Sequence, residues 1–202
     1  MFIVDPAFAE LYSGNAVCPI RMVDIIPGRL AEIIFPNTLK MASLEVVNIH
    51  LEVEVAAGEP AFLGARCGFV AALARALTPR TEAHTIIGGD FNCCASDEPR
   101  FNPVESSFTN DRSTVAKLTE VALEQYTELY QPHYTRRGTS GGVIINLSRI
   151  DRLYSNCATC DLMDRRPLVA TIGIVTVTTN PSDHVPVSGT INEPFSAPPM
   201  HP

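Results

Sequence analysis

The sequence has no excess of positive charge. Its 202 residues include 22 acidic and 15 basic side chains, which gives a formal net charge of −7 at pH 7. This balance argues against a broad basic surface that binds nucleic acid by releasing counterions from phosphates. A nucleic-acid substrate would therefore need a local basic strip, for which the candidates are Arg136, Arg137, Arg149, Arg152, Arg165 and Arg166. These arginines are equally compatible with ordinary solvated surface charges.

Long apolar runs and a secretion signal are also absent. No stretch of about 18 apolar residues indicates a membrane span, and residues 1–10 contain no basic segment followed by an apolar run. These absences predict an intracellular protein, in the nucleus or the cytoplasm. Its six cysteines would then stay reduced. Cys157 and Cys160 lack the second pair of ligands that a structural zinc site requires, so a zinc or redox protein is a minor alternative.

The composition is that of a folded chain. Hydrophobic residues make up 46% and charged residues 18%, values outside the range of disordered segments. At this length one domain is the default, and we predict that it covers residues 1–192. Residues 193–202 are rich in Pro and Ser and predict a disordered tail.

The first half of the chain alternates strand and helix patterns. Leu30 to Phe35 and Leu44 to Val55 predict two strands, and the alternation in the second places His50 opposite its apolar face. Apolar residues recur at three- and four-residue intervals from Phe62 to Leu77, which predicts a helix that ends before Pro79.

From Thr85 onwards the sequence pattern predicts more strands than helices. Its expected elements are a strand at Thr85–Ile87, a helix at Ser113–Leu129 with Val115, Leu118, Ala122 and Leu129 inside, a loop at Gly138–Gly142, a strand region at Val143–Tyr154, a strand at Leu168–Thr179, a loop at Pro181–His184 and a strand at Val185–Ile191. Together with the first half, this order predicts an α/β layered protein with mixed sheets.

Polar residues that suit hydrolysis gather where these strands end. They are His50, the pair Asp90 and Asn92, Asp151, and the pair Asp183 and His184. A carboxylate can bind a hard divalent cation, while an imidazole with a pKa near neutrality takes a proton from water. Taken singly, each group also fits a structural role, as a strand histidine, a turn cap or a loop bend.

Four segments in this order carry a resemblance. They are Val46-Val47-Asn48-Ile49-His50-Leu51, Ile87-Gly88-Gly89-Asp90-Phe91-Asn92, Ser148-Arg149-Ile150-Asp151-Arg152 and Ser182-Asp183-His184-Val185-Pro186-Val187. With them the sequence resembles the endonuclease/exonuclease/phosphatase family, which includes DNase I-like enzymes, abasic-site endonucleases, inositol phosphatases and retrotransposon endonucleases. The resemblance covers roughly residues 30–191, and its second and fourth segments are the specific ones. It implies a four-layer αββα sandwich that lacks the first strands of the fold.

The resemblance also implies a role for each polar residue. His184 would be the general base at the attacking water, and Asp151 would fix its tautomer. Asp90 and Asn92 would position the nucleophile and the scissile phosphate. The metal, Mg²⁺ or alternatively Mn²⁺, would be contacted by Asp183 and Asp90. His50 would contact a phosphate oxygen or assist the leaving group.

The sequence departs from the family pattern upstream of Leu30. The family has an early strand with an Asn and a later strand that ends in a Gln-Glu pair, whose Glu is the principal metal ligand. Residues 1–29 offer Asp5, Glu10, Asn15 and Asp24 without that motif, and Glu10 is the one candidate substitute. We therefore expect an N-terminally incomplete domain with a weakened metal site.

Three functions stay open at this stage. The leading one is a Mg²⁺-dependent phosphoester hydrolase, most simply a DNA endonuclease, and Tyr134-Thr135-Arg136-Arg137 resembles endonucleases of mobile elements. A phosphomonoesterase for a small or lipid phosphate is an alternative within the same fold. A catalytically silent or fragmentary domain is the other.

Overall fold

The computed structural model describes residues 4–13, 19–36, 43–51, 60–77, 83–95, 99–110, 113–129, 132–156, 169–174 and 182–191. Within these ranges lie helices α1 (Pro6–Ser13), α2 (Pro60–Ala76) and α3 (Thr114–Ala122). The strands are β1 (Arg21–Ile26), β2 (Leu30–Phe35), β3 (Leu44–His50), β4 (His84–Asp90), β5 (Pro99–Asn102), β6 (Ser107–Asn110), β7 (Thr127–Glu128), β8 (Arg136–Ser140), β9 (Val143–Ser148), β10 (Asp151–Ser155), β11 (Val169–Ile174) and β12 (Val187–Ile191).

The largest sheet has six strands in the order β1-β2-β3-β4-β10-β7. Only β3 and β4 run parallel within it, and the other neighbours are antiparallel. A parallel pair needs a crossover connection, and α2 lies in the chain between β3 and β4. A four-stranded sheet has the order β6-β5-β9-β8, and β11 pairs with β12.

Two apolar clusters hold the six-stranded sheet. One joins Val47, Ile49 and other strand residues to buried side chains of α2 and α3, including Leu73 and Val115. The other joins Leu44 and its strand neighbours to Tyr12 of α1. Because successive strand residues point to opposite faces, the two clusters cover the two faces of one sheet.

The elements of the first half are largely as predicted. β2 has the predicted bounds, β3 begins at Leu44 as expected, and α2 covers the predicted helix apart from its last residue. His50 is exposed whereas Ile49 and Leu51 are buried, as the alternation requires. The predicted strand was longer than β3, which ends at His50, since Leu51 is described but is not part of a strand. Residues 52–55, the side chain of Phe62 and Pro79 lie outside the described residues.

The predicted second helix was too long. α3 ends at Ala122, and Thr127–Glu128 forms β7 against Ser155 and Tyr154 of β10. Val115 is buried as predicted, but Leu118, predicted to face inward, is 38% exposed. Pairing with a strand that is distant in sequence outweighed the local helical pattern here.

The predicted loop at Gly138–Gly142 was also wrong in part. Gly138 and the two residues after it belong to β8, which forms a hairpin with β9. Only Gly141 and Gly142 form the turn, and both have positive φ angles, 56° and 79°. Glycine adopts this backbone at little steric cost.

Other predictions fall where the structure gives a partial answer or none. The region Val143–Tyr154 is two strands, β9 and β10, and β11 and β12 cover parts of the last two predicted strands. The elements α1, β1, β5 and β6 were not predicted. The Cys157 and Cys160 pair and residues 193–202 lie outside the described residues.

A buried pair of glutamates gives the sheet a pH-dependent stability. Glu32 and Glu45 are each 7% exposed, and the Thr85 hydroxyl donates a hydrogen bond to Glu45 Oε2 at 3.4 Å. Burial, with a further contribution from the charge of Glu45, raises the pKa of Glu32 from 4.5 to about 7, against the opposing effect of Arg21. The folded chain therefore binds a proton that the unfolded chain releases between these two pH values.

We expect proton binding to Glu32 to add fully to the free energy of unfolding below pH 4.5, and we expect this contribution to be lost as the pH rises through 7. Urea unfolding of the wild type and Glu32→Gln should show it, because the wild type should lose roughly 2–3 kcal/mol more than the variant between pH 5 and pH 8. The exposed Glu124 supplies a control variant, Glu124→Gln, that keeps the wild-type pH dependence. Equal pH dependence in wild type and Glu32→Gln would contradict the assignment.

Candidate active site

Three strand ends meet at one edge of the six-stranded sheet. His50, the last residue of β3, lies in register with Asp90, the last residue of β4. Asp151, the first residue of β10, is paired with Asp90 from the other side. Since neighbouring strands are about 4.8 Å apart, the fold places His50, Asp90 and Asp151 side by side.

The loop before β12 brings His184 to this edge. Its Nδ1 lies 3.2 Å and 3.0 Å from the two carboxylate oxygens of Asp151. The Val185 amide donates a hydrogen bond to the Thr135 carbonyl at 2.6 Å, which fixes the loop. A carboxylate at Nδ1 favours the tautomer that carries its proton there, so Nε2 of the neutral ring is the basic atom.

Nε2 of His184 faces two further carboxylates. It lies 3.9 Å from Asp90 Oδ2 and 3.9 Å from Asp183 Oδ1. These distances are longer than a direct hydrogen bond. We expect a water molecule or a substrate oxygen to reach Nε2 here, beside carboxylates that could hold a cation.

Asp151 sits in a partly buried position. Burial raises the pKa of Asp151, and the nearby charge of Asp90 raises it further, whereas the Thr135 hydroxyl and His184 oppose these effects. Its side chain is 18% exposed. A carboxylate that is screened from water interacts more strongly with a protonated imidazole, which suits the support of a base.

Thr135 is a site residue whose role was not predicted. It is fully buried, and its hydroxyl oxygen accepts hydrogen bonds from the backbone amides of Ile150 and Asp151 at 3.1 Å and 3.0 Å. Its carbonyl holds Val185, the residue after His184. Thr135 thus links the two members of the His184–Asp151 pair. In the sequence, Thr135 is marked only by the resemblance of Tyr134–Arg137 to mobile-element endonucleases, because no spacing rule indicates its contacts.

Asn92 is bound tightly to Asp90. The Asn92 backbone amide donates to Asp90 Oδ1 at 2.8 Å, and its side-chain amide donates to Asp90 Oδ2 at 3.0 Å and to the Leu51 carbonyl at 2.5 Å. The residue is 9% exposed and has a φ of 46°. Asparagine tolerates this left-handed backbone better than most residues. The structure therefore brings the two together, with Asn92 fixing the orientation of Asp90.

Among the described residues, Asp90, Asp151 and His184 form a group that could hold a metal. One ligand atom from each lies within 4.8 Å of the others. Carboxylate oxygens from Asp90 and Asp151 suit a hard divalent cation such as Mg²⁺ or Mn²⁺, so the described side chains fit a cation. This group differs from the predicted pair of Asp183 and Asp90.

Asp183 lies at the margin of this group. Its side chain is 50% exposed, and its Oδ2 accepts a hydrogen bond from Arg136 Nε at 3.1 Å. This hydrogen bond is the main reason that the pKa of Asp183 is lowered. Oδ1 is the oxygen that approaches His184, so Asp183 as a metal ligand remains a prediction.

Glu10 lies at the other end of the sheet. It belongs to α1, and α1 packs through Tyr12 against Phe35, with ring centroids 5.1 Å apart. Phe35 pairs with Leu44, six residues from His50 and therefore about 20 Å away along β3. Glu10, the one candidate substitute for the family's metal ligand, therefore lies far from the strand ends that carry His50 and Asp90.

The predicted basic strip is smaller than expected. Arg149 and Arg152 are 6% and 3% exposed, and Arg136 is paired with Asp183. Arg137 is exposed, whereas Arg165 and Arg166 lie outside the described residues. Among the described members of the strip, Arg137 alone is exposed, and its backbone amide donates to the Asp183 carbonyl.

Comparison with solved structures identifies the fold as that of the endonuclease/exonuclease/phosphatase, or DNase I-like, proteins. The chain is similar to the 3′ phosphatase NExo from Neisseria, solved with product DNA hairpin, with TM-score 0.60 and 16% identity. It is also similar to the endonuclease domain of TRAS1, a telomere-specific non-LTR retrotransposon, with TM-score 0.54 and 14% identity. An AP endonuclease from Archaeoglobus fulgidus gives TM-score 0.55 and 14% identity.

These structures are longer than the chain. The similarity covers 82%, 86% and 82% of this chain, but 65%, 69% and 65% of the NExo, TRAS1 and Archaeoglobus chains. No family model matches the sequence, and no curated protein matches it either. The predicted α/β class and DNase I-like fold are confirmed by structure alone.

None of the helices in the described ranges is both long and apolar enough to cross a membrane.

Proposed function

We propose that this protein is a divalent-metal-dependent phosphoester hydrolase of the endonuclease/exonuclease/phosphatase family and that it cleaves DNA as an endonuclease. The observation that carries the proposal is the His184–Asp151 pair, whose Nε2 faces the carboxylates of Asp90 and Asp183. This arrangement offers one oriented base and a place for a cation within a few ångströms. A base next to a cation is what hydrolysis of a charged phosphoester requires.

In the proposed mechanism, His184 Nε2 takes a proton from the water whose oxygen attacks phosphorus, while the phosphorus–oxygen bond to the leaving oxygen on the opposite side breaks. Asp151 holds the ring through Nδ1 and stabilises the imidazolium that forms, without taking the proton itself. Asn92 keeps Asp90 in place, and His50, exposed at the adjacent strand end, contacts a phosphate oxygen or assists the leaving group.

Electrostatics support a requirement for a cation. Asp90, Asp151 and Asp183 would repel a phosphodiester, because like charges a few ångströms apart interact unfavourably. Asp90 with Asp151 or Asp183 would hold Mg²⁺ or Mn²⁺. When bound, the ion supplies charge neutralisation at the phosphoryl and leaving oxygens.

DNA is the substrate that the comparisons favour. The NExo structure holds a DNA hairpin, and TRAS1 and the Archaeoglobus protein are both named as endonucleases. Arg137, whose side chain is exposed and whose backbone amide binds the Asp183 carbonyl, is the proposed contact for a backbone phosphate. Because Arg137 is the one exposed arginine among the described members of the predicted strip, we expect DNA binding to depend weakly on salt, with a slope that reflects few phosphate contacts.

The test is cleavage of supercoiled plasmid with Mg²⁺, with Mn²⁺ and with excess EDTA. We expect nicking with either metal and a fall of at least about 10²-fold with EDTA, since the metal contributes several kcal/mol to catalysis. Metal-independent nicking would contradict the proposal. A 3′-phosphorylated oligonucleotide assayed in parallel separates the alternatives. Phosphate release without nicking would indicate a phosphomonoesterase, and no reaction on either substrate would indicate a catalytically silent domain.

A further inference from the structure

Two arginines are buried behind the proposed site rather than exposed at its surface. Arg66 of α2 is 4% exposed and Arg152 of β10 is 3% exposed. Burying a guanidinium is costly unless its hydrogen bonds are replaced. The burial of two arginines close to one turn therefore requires contacts within the protein that replace their hydrogen bonds with water.

Both arginines hold the same turn through consecutive backbone carbonyls. Arg66 donates from Nη2 to the Asn92 carbonyl at 3.3 Å. Arg152 donates from Nη2 to the Cys93 carbonyl at 3.0 Å, and this nitrogen also lies 3.6 Å from the Cys93 Sγ. These carbonyls belong to the bend at residues 92–93, which follows β4 after Phe91 and is called the Asn92 turn below.

Arg152 is itself held in place. Its Nη1 donates to the Tyr154 hydroxyl at 2.8 Å, and its guanidinium lies over the Phe91 ring, 4.7 Å from the centroid. A planar guanidinium can stack on an aromatic ring and donate several hydrogen bonds at once, whereas the ammonium of lysine cannot do both. The group is thus rigid enough to fix the carbonyl that it binds.

The turn needs such support because its backbone is unfavourable. Asn92 has a φ of 46°, a left-handed conformation that surrounding contacts must maintain. The same residue makes two hydrogen bonds to the Asp90 carboxylate. Relaxation of the turn would therefore release Asp90 from its orientation towards His184.

We propose that Arg66 and Arg152 are positioning residues that hold Asn92 in its left-handed conformation and thereby orient the Asp90 carboxylate in the site. Because successive strand residues point to opposite faces, β10 contributes one residue to the His184 side of the site and the next residue to the core behind it. Asp151 points to the His184 side, and Arg152, the next residue, points into the core behind the Asn92 turn. The catalytic consequence rests on the proposed function, whereas the structural one does not.

The structural test follows the side-chain amide of Asn92 by NMR in protein with ¹⁵N-labelled asparagine and without substrate. In the wild type we expect slow exchange of these protons with solvent, because they bind the Leu51 carbonyl and Asp90. Arg152→Met and Arg66→Met should each increase the exchange rate about ten-fold or more, which corresponds to about 1.4 kcal/mol. Arg152→Lys should restore little of the protection, since an ammonium cannot reproduce the planar contacts.

The matched control is Arg149→Met, which removes a buried guanidinium that pairs with Glu128. This variant should leave the Asn92 exchange rate within about two-fold of wild type, after correction for global stability measured by urea unfolding. Equal acceleration in Arg149→Met and Arg152→Met would overturn the proposal, as would unchanged exchange in both positioning variants. If a positioning variant fails to fold, the other one decides the outcome.

The catalytic test uses plasmid nicking at saturating Mg²⁺. Arg152→Met should lower kcat about 10- to 100-fold with a change in KM below about three-fold, because orientation acts on the transition state. A rise in KM with unchanged kcat would contradict a positioning role. An inactive wild type would contradict the proposed function only, because the NMR comparison still decides whether the arginines hold the turn.

Discussion

Replacing His184 with alanine is expected to lower kcat for DNA cleavage by about 10²- to 10⁴-fold, the usual contribution of general acid–base catalysis. The imidazole is held by Asp151 at 3.0 Å, and its Nε2 is the basic atom that faces Asp90 and Asp183. The side chain is 29% exposed and lies in a loop, so its loss should leave folding intact. Plasmid nicking and urea unfolding of the same preparations check both statements.

The sheet offers a matched control for this substitution. His84 is the first residue of β4, six residues from Asp90 and therefore about 20 Å from the site. His84→Ala should keep kcat within about two-fold of wild type. Retention of most activity in His184→Ala, or an equal loss in both variants, would show that His184 is not the base.

Asp151 and His184 should also behave as one unit. Asp151→Asn would present an amide to Nδ1 and would disturb the tautomer, so a loss of about 10²-fold or more is expected. The double variant Asp151→Asn, His184→Ala should be little worse than His184→Ala alone, because groups that act together are strongly non-additive. Fully additive losses would indicate that Asp151 acts on another part of the site.

The sequence was most informative where chemistry and periodicity coincide. Apolar alternation in β3 placed His50 opposite the buried face, and the resemblance placed Asp90 and Asp151 at strand ends, where the strand pairing brings all three side by side. The pairing of His184 with Asp151 was implied by the resemblance and is present in the structure.

Contacts between distant backbone segments could not be predicted in the same way. Thr135 reaches the Asp151 amide and the loop after His184, and Arg152 reaches a carbonyl 59 residues earlier in the chain. Neither contact has a periodic signature. In the sequence Arg152 looked like a surface charge beside the site, because composition does not reveal which face of a strand is covered by helices.

Substitution of Gly89 by alanine is the second change expected to have a large effect. An added Cβ would lie 2.0 Å from the Ile49 carbonyl oxygen and 2.9 Å from the Ile49 backbone carbon and nitrogen. The φ of Gly89 is 139°, which side chains rarely adopt. Because the clashing atoms are backbone, only separation of β3 from β4 can relieve them. We expect a loss on the order of 4 kcal/mol or more, or failure to fold.

The neighbouring glycine is the matched control. A Cβ on Gly88 would meet Leu153 Cδ2 at 2.4 Å, while the nearest backbone atom is 3.8 Å away. A terminal methyl of leucine can move, so Gly88→Ala should cost only about 1–2 kcal/mol in urea unfolding. Equal losses in the two variants, or a loss below about 1 kcal/mol for Gly89→Ala, would contradict the steric argument.

The steric contrast between Gly88 and Gly89 has a functional consequence. Close approach of β4 to β3 at Gly89 sets the register that places Asp90 beside His50 on one side and Asp151 on the other. A side chain at Gly89 would move Asp90 away from its neighbours, even in a protein that still folded. We therefore expect any Gly89→Ala protein that can be purified to lose kcat more strongly than Gly88→Ala, and the ratio of the two measures how far catalysis depends on this strand register.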